Sequence, residues 1–441
     1  MTIPETRYTR SGDVNIAYQV VGEGPDLLWI PGFAQHVELM WEEPYRRVWL
    51  EDLASTYRLV VFDKRGTGLS DRVRGVAPLE VRMDDCRAVL DAAGSRTAAV
   101  FAAGDGADLA LVFAATYPDR VRALALWDGN YCGAWAPDYP WSPPREQALR
   151  FIDELERRWP DSLREVVVEG APSLPEEDVD SFVRVLRLSV SPGAAADYVR
   201  MSLDADVRGV LSSVRVPTLV MNGVGFPNMD GARLVASRIR GAELLLIDRP
   251  DFIPMIGDTR PLLDNVRRFI AEASIHTADP DRVLATVLFT DIVDSTATAV
   301  ELGDRAWRSL LEQHNTAIRA ELARHRGIEH DTAGDGFFAS FDGPARAIRC
   351  ATAIQAAVEP LGLRVRAGLH TGECEHMDGK VAGIAVSIGA RVAARAEAGE
   401  VLVSQTVKDL VAGSGIAFAD RGSAELKGLP GEWRLYAVTD A

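Results

Sequence analysis

Two carboxylates in the C-terminal part of the sequence have the chemistry to hold divalent metal ions. Asp291 closes a strand predicted over 284–289, and Asp335 lies between two glycines at the turn of a predicted strand pair. Neighbouring strand ends can bring both carboxylates onto the same pair of ions, with the carbonyl of Ile292 as a further oxygen ligand. Alone, Asp291 would as readily cap a helix, and Asp335 would as readily belong to a simple turn. The metal interpretation therefore depends on the elements and motifs around the two residues.

The composition limits which functions are open to the chain. Its 441 residues predict two or three domains, and a hydrophobic share of 47% is enough to build their cores. The net charge of -16, from 48 basic and 64 acidic residues, argues against binding nucleic acid or an anionic membrane by charge alone. There is no secretory signal and no apolar run of membrane-spanning length, and the four cysteines are scattered. We therefore expect a cytoplasmic protein whose partners include neither nucleic acid nor a membrane.

Residues 1–272 alternate between short apolar runs and helical patterns. Continuous apolar runs closed by turn residues are typical of strands buried on both faces of a mostly parallel sheet. The predicted strands cover 27–30, 58–62, 98–101, 123–127, 217–221 and 243–247. Helical patterns lie between them, as over 81–93 and 107–117. A helix-forming stretch with proline-rich joints, at about 133–210, interrupts this alternation and predicts an inserted helical cap.

A polar stretch at 273–282, broken by Pro280, predicts a linker to a second domain over 283–441. The elements predicted after it are strands at 284–289, around 334–336, at 364–370 and at 400–404, and helices at 305–324, at 344–358 and from about 387. Their order, β-α-β-β-α-β, indicates a ferredoxin-like core. The predicted fold class is therefore α/β for the first domain and α+β for the second.

Three segments of the first domain resemble the α/β-hydrolase family. They are Pro31-Gly32 after the first predicted strand, FDKRGTGLSD at 62–71 and FAATYPDRV at 113–121. Each lies at the place that the family's strand and helix order expects. The resemblance implies an α/β-hydrolase fold with a helical cap. It also implies a catalytic triad: a serine on a tight Gly-x-Ser-x-Gly elbow, a histidine, and an acid that orients the histidine.

The three triad positions carry residues that cannot perform this chemistry. The elbow is AAGDG at 102–106, which puts Gly104 at the nucleophile position. The histidine position falls on Phe252, and the acid position falls on Phe226, with Asp230 close enough to compete for it. We therefore expect a hydrolase fold that has lost its catalytic residues, a pseudoenzyme.

A hydrolase with a non-standard site is the alternative for this domain. No histidine lies between His36 and His276, so a base would have to be His36, in the loop where the family builds its oxyanion hole. Asp105, one residue late on the elbow, would be the nucleophile. We expect instead a sensor pocket for an unidentified small molecule, with aromatic packing of the cap as the competing interpretation. The aromatic residues expected near the pocket are Trp127, Tyr131, Trp135, Tyr139 and Trp141.

The second domain resembles the class III adenylate and guanylate cyclase catalytic domain over its whole length. Five motifs carry the resemblance, in the family's order. They are VLFTDIVDST at 287–296, TAGDGF at 332–337, RAGLHTG at 366–372, GIAVSIGARV at 383–392 and ELKG at 425–428. Five motifs in order are much more specific than either aspartate alone, so they favour metal binding over a simple cap or turn.

The resemblance implies a two-chain site that cyclises a nucleoside triphosphate. In the family one subunit supplies the metal carboxylates, here Asp291 and Asp335, and the other supplies purine-selecting and cationic residues. Arg391 matches the arginine that stabilises charge on the α-phosphate, and Lys427 matches the lysine for the terminal phosphates. The helix beginning near Thr296 would offer free N–H groups to phosphates. We expect a homodimer through the cyclase domain, with two divalent cations, Mg²⁺ or Mn²⁺, as cofactors.

Three positions depart from the family's pattern. Ser387 stands where the family has an asparagine, four residues before Arg391, and its hydroxyl has a shorter reach. Asp331 replaces a lysine expected four residues before Asp335, and Lys380 replaces the acidic or polar purine selector. Three outcomes stay open: the exchanged charges still complement adenine, they pair with each other and leave the base poorly selected, or the site no longer turns over.

Together these features predict an adenylate cyclase joined to a catalytically dead, hydrolase-like sensor. ATP is the expected substrate, with GTP open as a second one, and the products would be 3′,5′-cyclic AMP and pyrophosphate. The retained carboxylates, arginine and lysine favour a slow or conditionally active enzyme. The alternatives are a nucleotide-binding switch without activity and the non-standard hydrolase.

Overall fold

The computed structural model describes residues 3–273, 282–377 and 380–441. The chain divides into two compact units, Met1–Pro280 and Asp281–Ala441. Of the linker predicted at 273–282, only the first and last residues lie within the described part. No helix in the described ranges is both long and apolar enough to cross a membrane.

The first unit contains an eight-stranded sheet. Its strands are β1 (Arg7–Ser11), β2 (Val14–Val21), β3 (Asp26–Ile30), β4 (Arg58–Phe62), β5 (Ala98–Ala103), β6 (Val121–Trp127), β7 (Thr218–Gly223) and β8 (Glu243–Ile247). They are ordered β1-β2-β4-β3-β5-β6-β7-β8. Strands β3 to β8 pair in parallel, as the apolar runs predict. The antiparallel β1 and β2, which cover one edge, were not predicted because β1 is polar and mostly exposed, and because polar residues interrupt the buried β2.

Nine α-helices accompany this sheet in the described part of the first unit. They are α1 (Pro44–Ala54), α2 (Leu79–Ala92), α3 (Gly106–Thr116), α4 (Arg145–Arg157), α5 (Asp161–Gly170), α6 (Glu176–Ser189), α7 (Pro192–Asp204), α8 (Met229–Arg238) and α9 (Arg260–Ala273). Helices α4 to α7 lie between β6 and β7, inside the stretch where a cap was predicted. Helix α3 is buried along its whole length, because it follows the central strand β5 and packs among the strands and helices around it.

The second unit contains another eight-stranded sheet. Its strands are β9 (Arg282–Ile292), β10 (Ile328–Ala333), β11 (Gly336–Phe341), β12 (Val365–Met377), β13 (Lys380–Ala382), β14 (Val401–Ser404), β15 (Ala417–Glu425) and β16 (Glu432–Asp440). Its helices are α10 (Ser295–Arg324), α11 (Pro344–Val358), α12 (Ile384–Ala393) and α13 (Gln405–Leu410). The strand order is β10-β11-β9-β12-β14-β16-β15, and β13 pairs with β12.

The ferredoxin-like core predicted for this unit is confirmed. The first six elements run β9-α10-β10-β11-α11-β12, and each strand in the order β10-β11-β9-β12 is antiparallel to the next. Helix α10 begins ten residues earlier than the predicted 305–324 and breaks at Gly303, whose φ is +74°. The pattern revealed only the part after this break, because the first turns of α10 are mostly exposed or half-buried and carry no apolar stripe.

Candidate functional site

The fold brings the two predicted metal carboxylates to neighbouring strand ends. Asp291 is the penultimate residue of β9, and Asp335 lies in the turn between β10 and β11. Strand β11 pairs antiparallel with β9, with Phe337 opposite Thr290. Continuing that register puts Asp335 opposite Ile292, one position from Asp291. The hairpin and its register therefore bring the backbones of the two residues to neighbouring strand ends, and the close approach of their carboxylates stays a prediction.

The two carboxylates differ in how they are bound. One oxygen of Asp335, Oδ2, is buried and has no hydrogen-bond partner within the described part of the chain. The Asp291 carboxylate instead accepts from Arg366, through Nε at 3.1 Å and through Nη2. Arg366 lies directly opposite Asp291 in the β9–β12 ladder. Sequence analysis did not single out Arg366 although it opens the motif at 366–372, because strand register is invisible in the sequence.

Asp291 lines an open cleft of about 710 Å³ at the start of α10. Ile292, Thr296 and Arg366 line the same cleft, whereas Asp335 is not among its lining residues. The first turn of α10 has no side-chain cap, so side chains leave its backbone N–H groups uncovered. Three of the four residues assigned to metal and phosphate on this side are therefore in one cleft.

A second cleft of about 680 Å³ contains the two predicted phosphate-binding cations, Arg391 and Lys427. Both side chains are exposed, and neither forms an ion pair with any residue that the structure describes. Ser387 lies one helical turn before Arg391 on α12 and is also exposed. No residue lines both this cleft and the one around Asp291. The cleft thus presents two cations without an ion pair to any described residue, alongside the carboxylates of Glu425 and Glu432.

Of the two residues assigned to purine selection, the structure describes the side chain of only one. Asp331 is exposed on β10, and its Oδ1 accepts from the backbone N–H of Thr332 at 2.9 Å. The backbone of Lys380 opens β13 opposite Met377, and its side chain lies outside the described part. The predicted charge exchange therefore stays a prediction.

The donor set fits hard divalent cations that retain water or substrate ligands. Asp291 and Asp335 offer carboxylate oxygens, and the uncompensated Oδ2 of Asp335 is a buried acceptor that a cation would satisfy. Within the described residues there is no cluster of three or more His, Cys, Asp or Glu side chains suited to a metal ion. Two carboxylates alone do not complete a cation's coordination, so phosphate oxygens and water would have to supply the rest.

In the first unit, two of the residues predicted for the triad positions, Gly104 and Phe252, line one cavity, and the third, Phe226, packs against Phe252. Gly104 follows β5 with a φ of +54°, a left-handed conformation suited to a tight turn before a helix. The rings of Phe226 and Phe252 form an edge-to-face pair with centroids 6.4 Å apart, and Trp127 contacts Phe226 at 6.0 Å. Asp230, the rival for the acid position, lies on α8 and pairs with Arg233 on the surface.

The carboxylate of Asp105 is already engaged in a buried polar cluster. It accepts from Tyr198, from Arg82 at 3.3 Å and from Lys64 at 3.4 Å. Burial lowers the pKa of Lys64 to about 8. His36, the only candidate base, instead accepts backbone N–H groups through Nδ1. These contacts disfavour Asp105 as a nucleophile and His36 as its base.

A cavity of about 350 Å³ lies between the sheet and the cap, beside Gly104 and Phe252. None of the aromatic residues Trp127, Tyr131, Trp135, Tyr139 and Trp141 is in the described lining of the cavity, although Trp127 donates to the carbonyl of the lining residue Phe252. Trp127, Tyr131 and Tyr139 are instead fully buried in packing, and Trp135 is half exposed at the surface. The aromatic composition indicated that ring side chains pack around the cap, but it did not identify the side chains that line the cavity.

Comparison with known proteins agrees with this two-part architecture. Residues 280–440 match the family model described as the adenylate and guanylate cyclase catalytic domain. Residues 25–223 match the family model of the alpha/beta hydrolase fold. The chain therefore joins an α/β-hydrolase-fold domain to a class III nucleotide cyclase catalytic domain.

Individual relatives each resemble one part of the chain. The chain is 24% identical over 275 residues to a pimeloyl-(acyl-carrier protein) methyl ester esterase of Nitrosospira multiformis, covering 58% of this chain and 99% of the esterase. It is 32% identical over 168 residues to the uncharacterized protein Rv0891c of Mycobacterium tuberculosis, covering 35% of this chain and 55% of that protein's length. An esterase structure from Exiguobacterium antarcticum matches with 17% identity and a TM-score of 0.55, over 60% of this chain and all of the esterase, which shows the fold alone.

Proposed function

We propose that the protein is an adenylate cyclase, a lyase that converts ATP to 3′,5′-cyclic AMP and pyrophosphate. The observation that carries the proposal is the division of the site residues between two clefts of one unit. The carboxylate of Asp291 lines one cleft, and the unpaired cations of Arg391 and Lys427 line the other. Because the metal carboxylate and the two phosphate-binding cations line different clefts, the proposed site is completed by two copies of the chain.

In this homodimer the acidic cleft of one subunit faces the basic cleft of its partner. Asp291, Asp335 and the Ile292 carbonyl would hold two divalent cations, Mg²⁺ or Mn²⁺. Such ions lower the pKa of the ribose hydroxyl and shield the charge of the triphosphate. The N–H groups near Thr296 hydrogen-bond phosphate oxygens.

The partner's basic cleft stabilises the charge that develops during cyclisation. Arg391 is fixed on α12 and donates to the α-phosphate oxygens as the bond to pyrophosphate breaks. Lys427 neutralises the terminal phosphates, and Ser387 contacts the ribose from the same exposed face of α12. Neither cation forms an ion pair among the described residues, although Glu425 and Glu432 line the same cleft, and this availability supports the role.

ATP is the proposed substrate, and purine selection rests on Asp331 and Lys380. Because their charges are exchanged relative to the family, adenine would have to be recognised with donor and acceptor reversed. Weak selection against GTP would follow if the two residues pair with each other instead. Relative turnover of ATP and GTP separates these outcomes.

The first domain is proposed to act as a pseudoenzyme sensor in a cytoplasmic signalling protein. Gly104 and Phe252 leave no nucleophile and no base at the elbow, and the cavity beside them is retained. Occupation of this cavity would then bias the cyclase dimer, a coupling that requires two distinct states.

The test is product analysis of the purified full chain with ATP or GTP and either Mg²⁺ or Mn²⁺. We expect cyclic AMP from the wild type and a loss of about 10²-fold or more in Asp291→Asn. Asp304→Asn is the matched control, because Asp304 is an exposed carboxylate on α10 outside the cleft lining. Equal product from Asp291→Asn and the wild type would refute the site assignment. Nucleotide binding without any cyclic product would identify a non-catalytic switch instead.

A further inference from the structure

The basic cleft of the cyclase unit contains a third cation besides Arg391 and Lys427. Arg395 lines the cleft, is exposed and forms no ion pair with any residue that the structure describes. It lies four residues after Arg391, just beyond the C-terminal end of α12, where its backbone N–H donates to the carbonyl of Val392 at 3.0 Å. The motif in this part of the sequence ends at 392, so sequence analysis gave Arg395 no role.

The guanidinium of Arg395 is tied to the segment that carries Lys427. Its Nη2 donates to the backbone carbonyl of Glu425 at 2.6 Å, two residues before Lys427. Glu425 is the last residue of β15, so this hydrogen bond joins the end of α12 to the end of that strand. A charged donor forms a stronger hydrogen bond than a neutral one does. The contact is therefore suited to fixing the segment that follows β15.

Lys427 lies in a tight turn directly after this contact. The backbone N–H of Leu429 donates to the carbonyl of Leu426 at 2.9 Å, and Gly428 has a φ of +83°, which a turn of this kind needs at its third position. Leu426 is buried in an apolar cluster to which α12 also contributes. Apolar contacts have no preferred direction. Leu426 therefore fixes where the turn lies, and the hydrogen bond from Arg395 fixes how the turn is oriented.

We infer that Arg395 is a positioning residue for Lys427. By holding the Glu425 carbonyl, it keeps the Lys427 ammonium at a fixed position relative to Arg391, so that the two cations bind one polyphosphate chain together. Groups that are already in place lose less conformational freedom when a ligand binds. The inference rests on the proposed function, because it concerns the same cleft and the same substrate phosphates.

Two other roles for Arg395 compete with this one. As a cation in the cleft, it could contact a phosphate group itself. As a cation near the C-terminal end of a helix, it could merely stabilise α12. The three roles predict different results in kinetics and in binding.

Steady-state kinetics of the full chain with ATP separates positioning from stabilisation. Arg395→Met removes the donor but keeps an aliphatic side chain. We expect it to raise KM about 3- to 10-fold and to leave kcat within about 2-fold, because Lys427 holds the phosphates in the ground state and the transition state alike. Arg395→Lys restores a charged donor and should recover most of the KM. A lower kcat at unchanged KM in Arg395→Met would indicate stabilisation alone and overturn the inference.

Calorimetric titration with inorganic triphosphate, without divalent metal, separates positioning from direct contact. The proteins compared are the wild type, Arg395→Met, Lys427→Met and the double variant. If Arg395 acts through Lys427, Arg395→Met weakens triphosphate binding about 3- to 10-fold when Lys427 is present and causes no comparable loss when it is absent. Losses that multiply in the double variant would mean that Arg395 binds phosphate itself, and would overturn the inference.

Arg421→Met is the matched control. Arg421 is an exposed arginine of β15 that pairs with Glu397 at 2.7 Å and with Glu400 at 3.0 Å, in the segment after α12, but it does not line the cleft. Its substitution removes the same charge and should leave KM and triphosphate affinity within about 2-fold of the wild type. Losses equal to those of Arg395→Met would show that only the overall charge matters, and would overturn the inference.

The two measurements also distinguish this inference from the proposed function. A wild type that makes no cyclic nucleotide would refute the proposed function, whereas triphosphate titration would still test Arg395. An active wild type with unaltered KM and triphosphate affinity in Arg395→Met would overturn this inference alone. Absence of triphosphate binding by the wild type would overturn it as well, since the cleft would then not bind polyphosphate.

Discussion

At the scale of single residues, the contact with the largest functional consequence is the ion pair between Arg366 and Asp291. The guanidinium occupies one oxygen of a carboxylate that the proposed function needs for a metal ion. Both side chains are about one-third exposed, so the pair is solvent-screened and contributes little to stability. The ion pair should therefore affect metal affinity rather than folding stability, because the Arg366 guanidinium competes with a metal ion for the Asp291 carboxylate.

Removing this competitor should strengthen metal binding. Arg366→Gln is expected to tighten Mn²⁺ binding by about 2- to 5-fold, the range that a screened ion pair of about 0.2–1 kcal/mol allows. Titration of the full chain with Mn²⁺, followed by electron paramagnetic resonance, measures this without any turnover. Arg364→Gln removes the same charge two residues earlier and should leave the affinity unchanged. Equal tightening in both variants would mean that only the overall charge matters.

At the scale of elements, β12 holds the sheet of the cyclase unit together, since it pairs with β9, β13 and β14. His370 lies on this strand, 5% exposed, with Nδ1 2.8 Å from the hydroxyl of Ser404 on β14. The edge of its ring packs against Trp433, with centroids 5.8 Å apart. Burial lowers the pKa of His370 to about 4, so the folded unit keeps this imidazole neutral.

This strand should therefore weaken in acid. Because the unfolded chain has the higher pKa, it binds a proton below about pH 6.5 while the folded state resists protonation until about pH 4. Stability is thus full above pH 6.5 and falls by about 3 kcal/mol on reaching pH 4. Hydrogen exchange of the β12 and β14 amides, compared between wild type and His370→Gln, isolates this contribution from the carboxylates common to both. Parallel pH profiles for the two proteins would contradict it.

Most helices and strands could be predicted because buried elements have a recognisable pattern of apolar residues in the sequence. The six parallel strands of the first unit are continuous apolar runs, and α11 was predicted at the bounds it has. The β1–β2 edge was missed because β1 is polar and mostly exposed, and because Asn15 and Gln19 interrupt the apolar residues of β2. Likewise, β12 extends beyond its predicted end at 370 to Met377, in a segment where polar residues alternate with apolar ones.

Within the candidate site, the sequence predicted the residues that belong to motifs but not the contacts between them. The motifs named Asp291, Asp335 and Arg391, and the fold places each at an exposed or half-buried strand end or helix face. The pairing of Arg366 with Asp291 depends on the register between distant strands. The cavity lining likewise depends on how the cap helices pack on the sheet, and no local pattern encodes that.

At the scale of the whole molecule, the proposed function divides the cyclase site between two clefts of one unit. The acidic half contains Asp291, and the basic half contains Arg391 and Lys427. A symmetric dimer in which each half faces the other's complement makes two complete sites, since a two-fold axis repeats every contact. Activity should then belong to the dimer and not to the single chain.

Mixing two inactive variants should therefore restore activity. Asp291→Asn and Arg391→Ala each disable both sites of their own homodimer, but a mixed dimer unites the intact acidic half of one chain with the intact basic half of the other. Random association makes half of the dimers mixed, each with one working site, so co-expressed chains should regain about a quarter of wild-type cyclic nucleotide production. Asp291→Asn with Asp335→Asn is the control: both changes damage the same half, so every dimer, mixed or not, lacks a complete acidic half. No recovery in the first pair would mean that each chain builds its site alone, whereas recovery in the control would mean that Asp291 and Asp335 do not belong to the same half of the site.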